Sequence, residues 1–210
     1  MHVLALLARK GGAGKTTIAV HMGVQAQAGG RRVLFCDLDP QHSLGGWWRL
    51  RQAAAPELVE TDARQLPGVL RSAAADGVDL VVLDTPPAVG FDTLQVAKLA
   101  ALVLIPLRPS ILDIQAVAST ADVVRSTDAR ALLLLNACPS PRGTAESSVA
   151  ADARSALAGY PVPVARNVIC DRRDFARALN GGEAVNEFAP ASKAAAEMRR
   201  LWAEVEGNLI

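Results

Sequence analysis

The sequence predicts an α/β fold, a mostly parallel twisted sheet with helices on both faces. Three observations predict it. Short apolar runs alternate with longer segments of helical periodicity, the β-α-β rhythm of a parallel sheet. Those runs are continuously apolar rather than alternating, as expected of strands covered on both faces. The polar, chemically able residues fall where the runs end, the edge at which open parallel sheets bind ligands.

Taken in order, strands are expected at Val3–Leu7, Val33–Cys36, Leu80–Leu83, Leu102–Ile105, Leu132–Leu135 and Val164–Ile169. Helices are expected at Thr16–Gln27, Ala63–Ala75, Asp92–Leu99, Ile111–Arg125, Ala145–Leu157 and Ser192–Val205. Crossovers between parallel strands should be right-handed. No repeat or linker divides the chain, so residues 1–210 read as a single domain. The loop Ala137–Thr144, with Pro139, Pro141 and Gly143, is the most irregular insertion.

The chain has 210 residues, 50% of them hydrophobic. A domain of this size buries roughly 70% of the surface its unfolded chain exposes and needs no covalent staples. The three cysteines, Cys36, Cys138 and Cys170, are widely spaced. They form no C-x-x-C pair, which supports neither a zinc site nor a disulfide framework and suits reduced thiols in the cytoplasm. The formal net charge is +1, so any nucleic-acid binding must come from a local patch or an assembly. The first residues are too short an apolar run for a signal peptide. No run reaches the ~18 apolar residues of a membrane span.

The first strand leads into Ala8-Arg-Lys-Gly-Gly-Ala-Gly-Lys-Thr-Thr17. Its end, Gly14-Lys-Thr16, completes the phosphate-loop pattern G-x-x-x-x-G-K-[ST]. Glycines at 11, 12 and 14 allow backbone conformations that turn several N–H groups toward one anion. The following helix adds its positive N-terminal end. Lys15 would reach the β and γ phosphates, Thr16 would ligate Mg²⁺, and Thr17 would add a phosphate contact. The pattern departs at its first position, where Arg9 replaces glycine, and Lys10 adds a second cation. Only four lysines exist, Lys10, Lys15, Lys98 and Lys193, and two of them stand here.

A metal–nucleotide site also needs a carboxylate facing the loop. Asp84, after Leu80-Val-Val-Leu83, stands where a Walker-B aspartate belongs and would hold the metal; a turn or helix-capping aspartate is the plainer reading. Asp39, in Asp37-Leu-Asp-Pro-Gln41, can position a water or enter the metal shell, with Asp37 in support, or one of the pair caps the next helix. Asn136 closes a strand; it can read an adenine edge or serve as a turn residue.

Together, Lys10-Gly-Gly-Ala-Gly-Lys-Thr-Thr17, Asp37-Leu-Asp-Pro-Gln41 and Asp84-Thr-Pro-Pro87 resemble the deviant Walker ATPases, the ParA and MinD family. The resemblance extends to Ile105-Pro-Leu-Arg-Pro-Ser110 and the Asn136 strand, and the chain looks like the short ParA type. It implies a P-loop NTPase of the deviant Walker A, SIMIBI type, with ATP and Mg²⁺ as ligands. The nucleotide would be held by Lys10, Gly11, Gly12, Ala13, Gly14, Lys15, Thr16, Thr17 and Asn136, and the metal by Thr16, Asp39 and Asp84. Lys10, Lys15 and Asp39 would serve catalysis. The resemblance makes Lys10 the signature lysine, reaching across a nucleotide-sandwich dimer to the partner's phosphates. Two facing triphosphates repel, and a cation lent by each subunit offsets that repulsion. The segments 37–43 and 84–90 would be switches that sense the γ phosphate.

Such dimers bind DNA without sequence preference, which would associate the chain with the nucleoid. Arg172, Arg173, Lys193, Arg199 and Arg200 are the candidate contacts, although acidic residues are interleaved with them. The expected activator is a ParB-type or small ribbon-helix-helix protein. Met198, Leu201, Trp202, Val205 and Leu209 recur at helical spacing, which in a MinD-like protein would mark a membrane helix. Glu197, Glu204 and Glu206 offset the arginines beside them, which favours packing on the sheet and no membrane partner. A membrane-cycling regulator and a positioner of protein cargo are the alternative functions. Trp47 and Trp48 follow the switch aspartates with no role assigned by the sequence.

Overall fold

The computed structural model describes residues 1–87, 91–127, 129–141 and 146–209. Among the described residues six strands form one sheet: β1 His2–Leu6, β2 Val33–Asp37, β3 Glu57–Glu60, β4 Leu80–Asp84, β5 Leu102–Leu107 and β6 Arg130–Leu135. Their spatial order is β3-β2-β4-β1-β5-β6, and every pairing is parallel. Register then sets the working edge. Leu6 and Asp37 are both partners of Asp84, so β1, β2 and β4 end level with one another.

The described helices are α1 Lys15–Ala28, α2 Ser43–Leu50, α3 Leu66–Ala75, α4 Phe91–Leu99, α5 Ile111–Arg125, α6 Ser148–Leu157, α7 Arg173–Asn180, α8 Val185–Phe188 and α9 Lys193–Leu209. Successive strand residues point to opposite faces. In β1, Leu4 and Leu6 join one core with Ile18 of α1 and Leu201 of α9, while Val3 and Ala5 join a second core with Leu70 of α3 and Val117 of α5. Both faces are covered, which is why the central strands carry apolar residues on both faces. Met198, Leu201, Trp202, Val205 and Leu209 all lie in the first core, so their helical spacing serves packing against the sheet.

Five of the expected strands form at the places read from the sequence. Val164–Ile169 does not. It runs beside β6 through Ala165 N–H to Leu133 O at 2.8 Å and Ile169 N–H to Leu135 O at 3.0 Å. Between those bonds, the N–H groups of Arg166 and Asn167 donate to the Glu204 carboxylate at 2.7 and 3.0 Å, which draws the chain off the ladder. The sheet takes β3 instead, a short edge strand whose Glu57 and Glu60 are exposed and disguise it.

Helix bounds shift for local reasons. α3 starts at Leu66, not Ala63, because Asp62 accepts the N–H groups of Arg64 and Gln65 in a turn. The expected start of α6 at Ala145, the later part of the loop Ala137–Thr144 and the last part of the segment 84–90 lie outside the described residues.

Candidate functional site

The loop between β1 and α1 is shaped by its glycines. Gly12 has φ +75° and Gly14 φ +96°, both in the left-handed region that side chains resist. Gly14 also caps α1, and its carbonyl accepts Ile18 N–H at 2.9 Å. The first N–H groups of α1 are therefore gathered at the loop, an anion site built from backbone. Ala13 is buried beneath the loop, and Gly11 and Gly12 are exposed.

Lys15 opens α1 and is only 7% exposed. Burial holds its pKa below the ordinary lysine value, and the nearby charges of Asp84 and Asp39 work against that shift. Thr16 Oγ1 donates to Asp84 Oδ2 at 2.6 Å, joining the loop to β4. Asp84 is fully buried, and its Oδ1 has no hydrogen-bond partner among the described residues. Burial pushes its pKa up to about 7, with the Thr16 hydrogen bond opposing. An isolated buried carboxylate is costly. A buried acceptor without a donor, beside a hydroxyl and a backbone anion cradle, fits Mg²⁺, which takes one or two carboxylates and completes its shell with phosphate and water. Thr17 is half-buried on the next position of α1.

The segment after β2 is organised by Asp37. This side chain is fully buried, accepting Asp39 N–H on Oδ1 at 3.0 Å and Gly45 N–H on Oδ2 at 2.9 Å. Asp37 therefore fixes both the backbone of Asp39 and the start of α2. Asp39 remains half-buried, and its Oδ1 accepts Gln41 N–H at 3.0 Å.

Two sequence-level candidates take unexpected partners. Asn136 turns its amide to the loop and donates to Ala13 O at 2.8 Å. Lys10 leaves the loop and pairs with Asp113 Oδ2 at 2.6 Å, with its side chain 44% exposed. Asp113 was not a sequence candidate. Its only signal was the pattern Ser110-x-x-Asp113 before an apolar run, which announces a helix start. Ser110 does cap α5, and its hydroxyl donates to the same Asp113 oxygen. Burial works to raise the Asp113 pKa, but the hydrogen bonds from Lys10 and Ser110 outweigh it and the net shift is downward.

The basic residues divide. Arg173, Lys193, Arg199 and Arg200 are exposed, and Arg199 donates to Pro190 O at 3.0 Å. Arg172, also expected among the DNA contacts, has a partner inside the protein. It is bound to Glu197 at 2.9 and 2.5 Å, and Glu197 is itself buried in α9. Its charge is already met inside the protein. Trp47 and Trp48 are also accounted for. Trp47 is buried against Phe35 and donates to Glu183 O at 3.3 Å, while Trp48 donates to Pro56 O at 2.9 Å.

A phosphate loop at the carboxyl edge of a parallel sheet, facing a buried aspartate on a neighbouring strand, defines a P-loop nucleotide-binding domain. Comparison with known proteins agrees. The family model of the CobQ/CobB/MinD/ParA nucleotide binding domain matches residues 4–185, and the chain belongs to that family. The chain is 32% identical over 211 residues to the maintenance of carboxysome distribution protein A of Gloeobacter kilaueensis, covering 97% of this chain and 94% of that one. It is 31% identical over 237 residues to the chromosome-partitioning ATPase Soj of Thermus thermophilus, covering 96% and 94%. Among solved structures, MinD in the Aquifex aeolicus MinC:MinD complex superposes with TM-score 0.79 at 16% identity, over 99% of this chain and 96% of that one. The protein is a ParA/MinD-family nucleotide-binding ATPase.

Proposed function

We propose that this ATPase is a ParA-type positioning protein whose ATP-bound form is a face-to-face dimer that coats DNA. The observation that carries the reading is the division between two lysines five positions apart. Lys15 is 7% exposed and faces the phosphate loop, whereas Lys10 is 44% exposed and tethered outside it. A cation held away from its own loop and lying near the surface supports a role toward a second subunit's phosphates. There it would neutralise charge that develops during γ-phosphate transfer.

In this reading Gly11, Gly12, Ala13, Gly14, Thr17 and Lys15 cradle the phosphates. Thr16 and Asp84 hold Mg²⁺, and Asp39 orients the attacking water. Asp37 keeps Asp39 in place through its backbone. The loop from Asp37 to Ser43 and the residues after Asp84 respond to the γ phosphate. Lys193, Arg173, Arg199 and Arg200 supply the DNA contacts, an electrostatic and sequence-independent attraction that would hold the dimer on the nucleoid in the cytoplasm. Partner-stimulated hydrolysis, by a ParB-type or ribbon-helix-helix protein, releases it. Cargo is a plasmid or chromosome region. The similarity to a carboxysome distribution protein favours a protein-cargo version of the same cycle as the second reading.

The test is a DNA shift assay with ATP and Mg²⁺. Wild type should bind only with ATP, and Asp39→Ala should stay bound because hydrolysis is blocked. Nucleotide-independent DNA binding, or wild-type turnover in Asp39→Ala, would contradict the cycle.

A further inference from the structure

We propose that Asn136 is a positioning residue of the phosphate loop, setting the orientation of the Ala13–Gly14 peptide so that the Gly14 N–H faces the phosphates. This rests on the loop being the ATP site described above, and it differs from a role in reading the base.

Asn136 follows β6 directly. Its backbone N–H donates to Leu107 O at 2.8 Å, which ties it to the end of β5. Its side chain therefore projects from a rigid strand end rather than a free loop. The side-chain Nδ2 donates to Ala13 O at 2.8 Å, with Asn136 8% and Ala13 3% exposed. A trans peptide is planar, so the carbonyl of residue 13 and the N–H of residue 14 point in opposite directions. Capturing the Ala13 carbonyl on the β6 side therefore fixes the Gly14 N–H on the other. The next carbonyl is held as well, since Gly14 O accepts Ile18 N–H at 2.9 Å. The peptide is locked before any ligand arrives, the arrangement that lets a donor act without reorganisation.

The same contact explains the glycine at 14. A Cβ placed there would lie 2.2 Å from Asn136 Nδ2. Any side chain at 14 would expel the Asn136 amide, quite apart from the cost at φ +96°. Asn136 and Gly14 are thus two halves of one device, 122 positions apart in the sequence.

The experiment compares wild type with Asn136→Asp, which keeps the shape and replaces the donating amide with an oxygen that repels Ala13 O. A fluorescent ATP analogue with Mg²⁺ is displaced by ATP, by GTP and by tripolyphosphate, which has no base. The expected result is weaker binding of all three by a common factor of about ten, with little change in Tm. If tripolyphosphate is unaffected while the ATP-over-GTP preference collapses, Asn136 reads the base and the proposal is overturned. Unchanged affinity for all three overturns it too. Should Asn136→Asp fail to fold, Asn136→Ser is measured with the same three ligands, and the same outcomes decide. A wild-type protein that binds none of them would bring down the ATP-site reading itself, and the clamp with it.

Discussion

Lys10 Nζ stands 2.6 Å from Asp113 Oδ2, so the second cation of the phosphate loop is engaged with the N-terminus of α5. In the proposed dimer, Lys10 would have to leave this partner to reach a neighbouring subunit's phosphates. Asp113 would then compete with that dimer for the same ammonium. A half-exposed ion pair is worth about 0.2–1 kcal/mol. Asp113→Asn should therefore tighten ATP-dependent dimerisation by roughly 1.4- to fivefold for each Lys10 released, measured by analytical ultracentrifugation across protein concentration. A weaker dimer would show that Asp113 steers Lys10 rather than restrains it.

His21 makes stability depend on pH. It is fully buried in α1, and its Nδ1 accepts Val185 N–H at 3.1 Å. Burial pushes its pKa down to about 3, so the native imidazole is neutral. The unfolded chain takes up the proton once pH drops below about 6.5. Stability is thus present in full above that pH and is lost as pH falls, by about 1.4 kcal/mol per unit until the native group protonates near pH 3. His21→Asn keeps an acceptor for Val185 and removes the titration. Between pH 7 and 5 it should lose about 2 kcal/mol less than wild type in urea unfolding. Equal losses would show that other groups set the acid sensitivity.

Arg51 fastens the end of α2 to the α7–α8 turn. Its side chain is 4% exposed, bonded to Glu187 at 2.8 and 2.7 Å and to Gly182 O at 3.2 Å, and it lies over the Trp47 ring. Removing one member of a largely buried pair strands the other. Arg51→Met should cost about 2–4 kcal/mol in denaturant unfolding. A loss within 0.5 kcal/mol, the ordinary surface range, would show the clip is idle.

The basic residues should separate by salt dependence. Each phosphate contact adds about 0.9 to the slope of log affinity against log salt. Arg199→Ala with Arg200→Ala should lower that slope by about two. Arg172→Ala should leave the slope alone and lower the Tm, because Glu197 loses its partner. A slope change in Arg172→Ala would return that residue to the DNA face.

The strands and the loop were legible because their signals are local. Continuous apolar runs mark doubly covered strands, and Gly14-Lys-Thr16 has few other uses. What escaped depends on distant partners. β3 hides because an edge strand keeps Glu57 and Glu60 exposed. α2 hides because Gly45 and Gly46 resemble a break, whereas a Cβ at Gly45 would lie 2.4 Å from Glu60 Oε1. α7 hides among Arg172, Arg173 and Asp174, which read as a charged surface until Phe175 and Ala178 are seen to be buried. The ribbon at Val164–Ile169 looks like a strand because nothing nearby in sequence announces Glu204. At the site, residue types were legible and pairings were not. Lys10 with Asp113 and Asn136 with Ala13 each join residues more than a hundred positions apart.

The most direct measurement is molar mass by light scattering for wild type and Lys10→Ala, with Mg²⁺ and a slowly hydrolysed ATP analogue. Wild type should rise from the 22.0 kDa of one chain to twice that mass, while Lys10→Ala binds the nucleotide equally and stays at 22.0 kDa. A Lys10→Ala protein that dimerises like wild type would contradict the account.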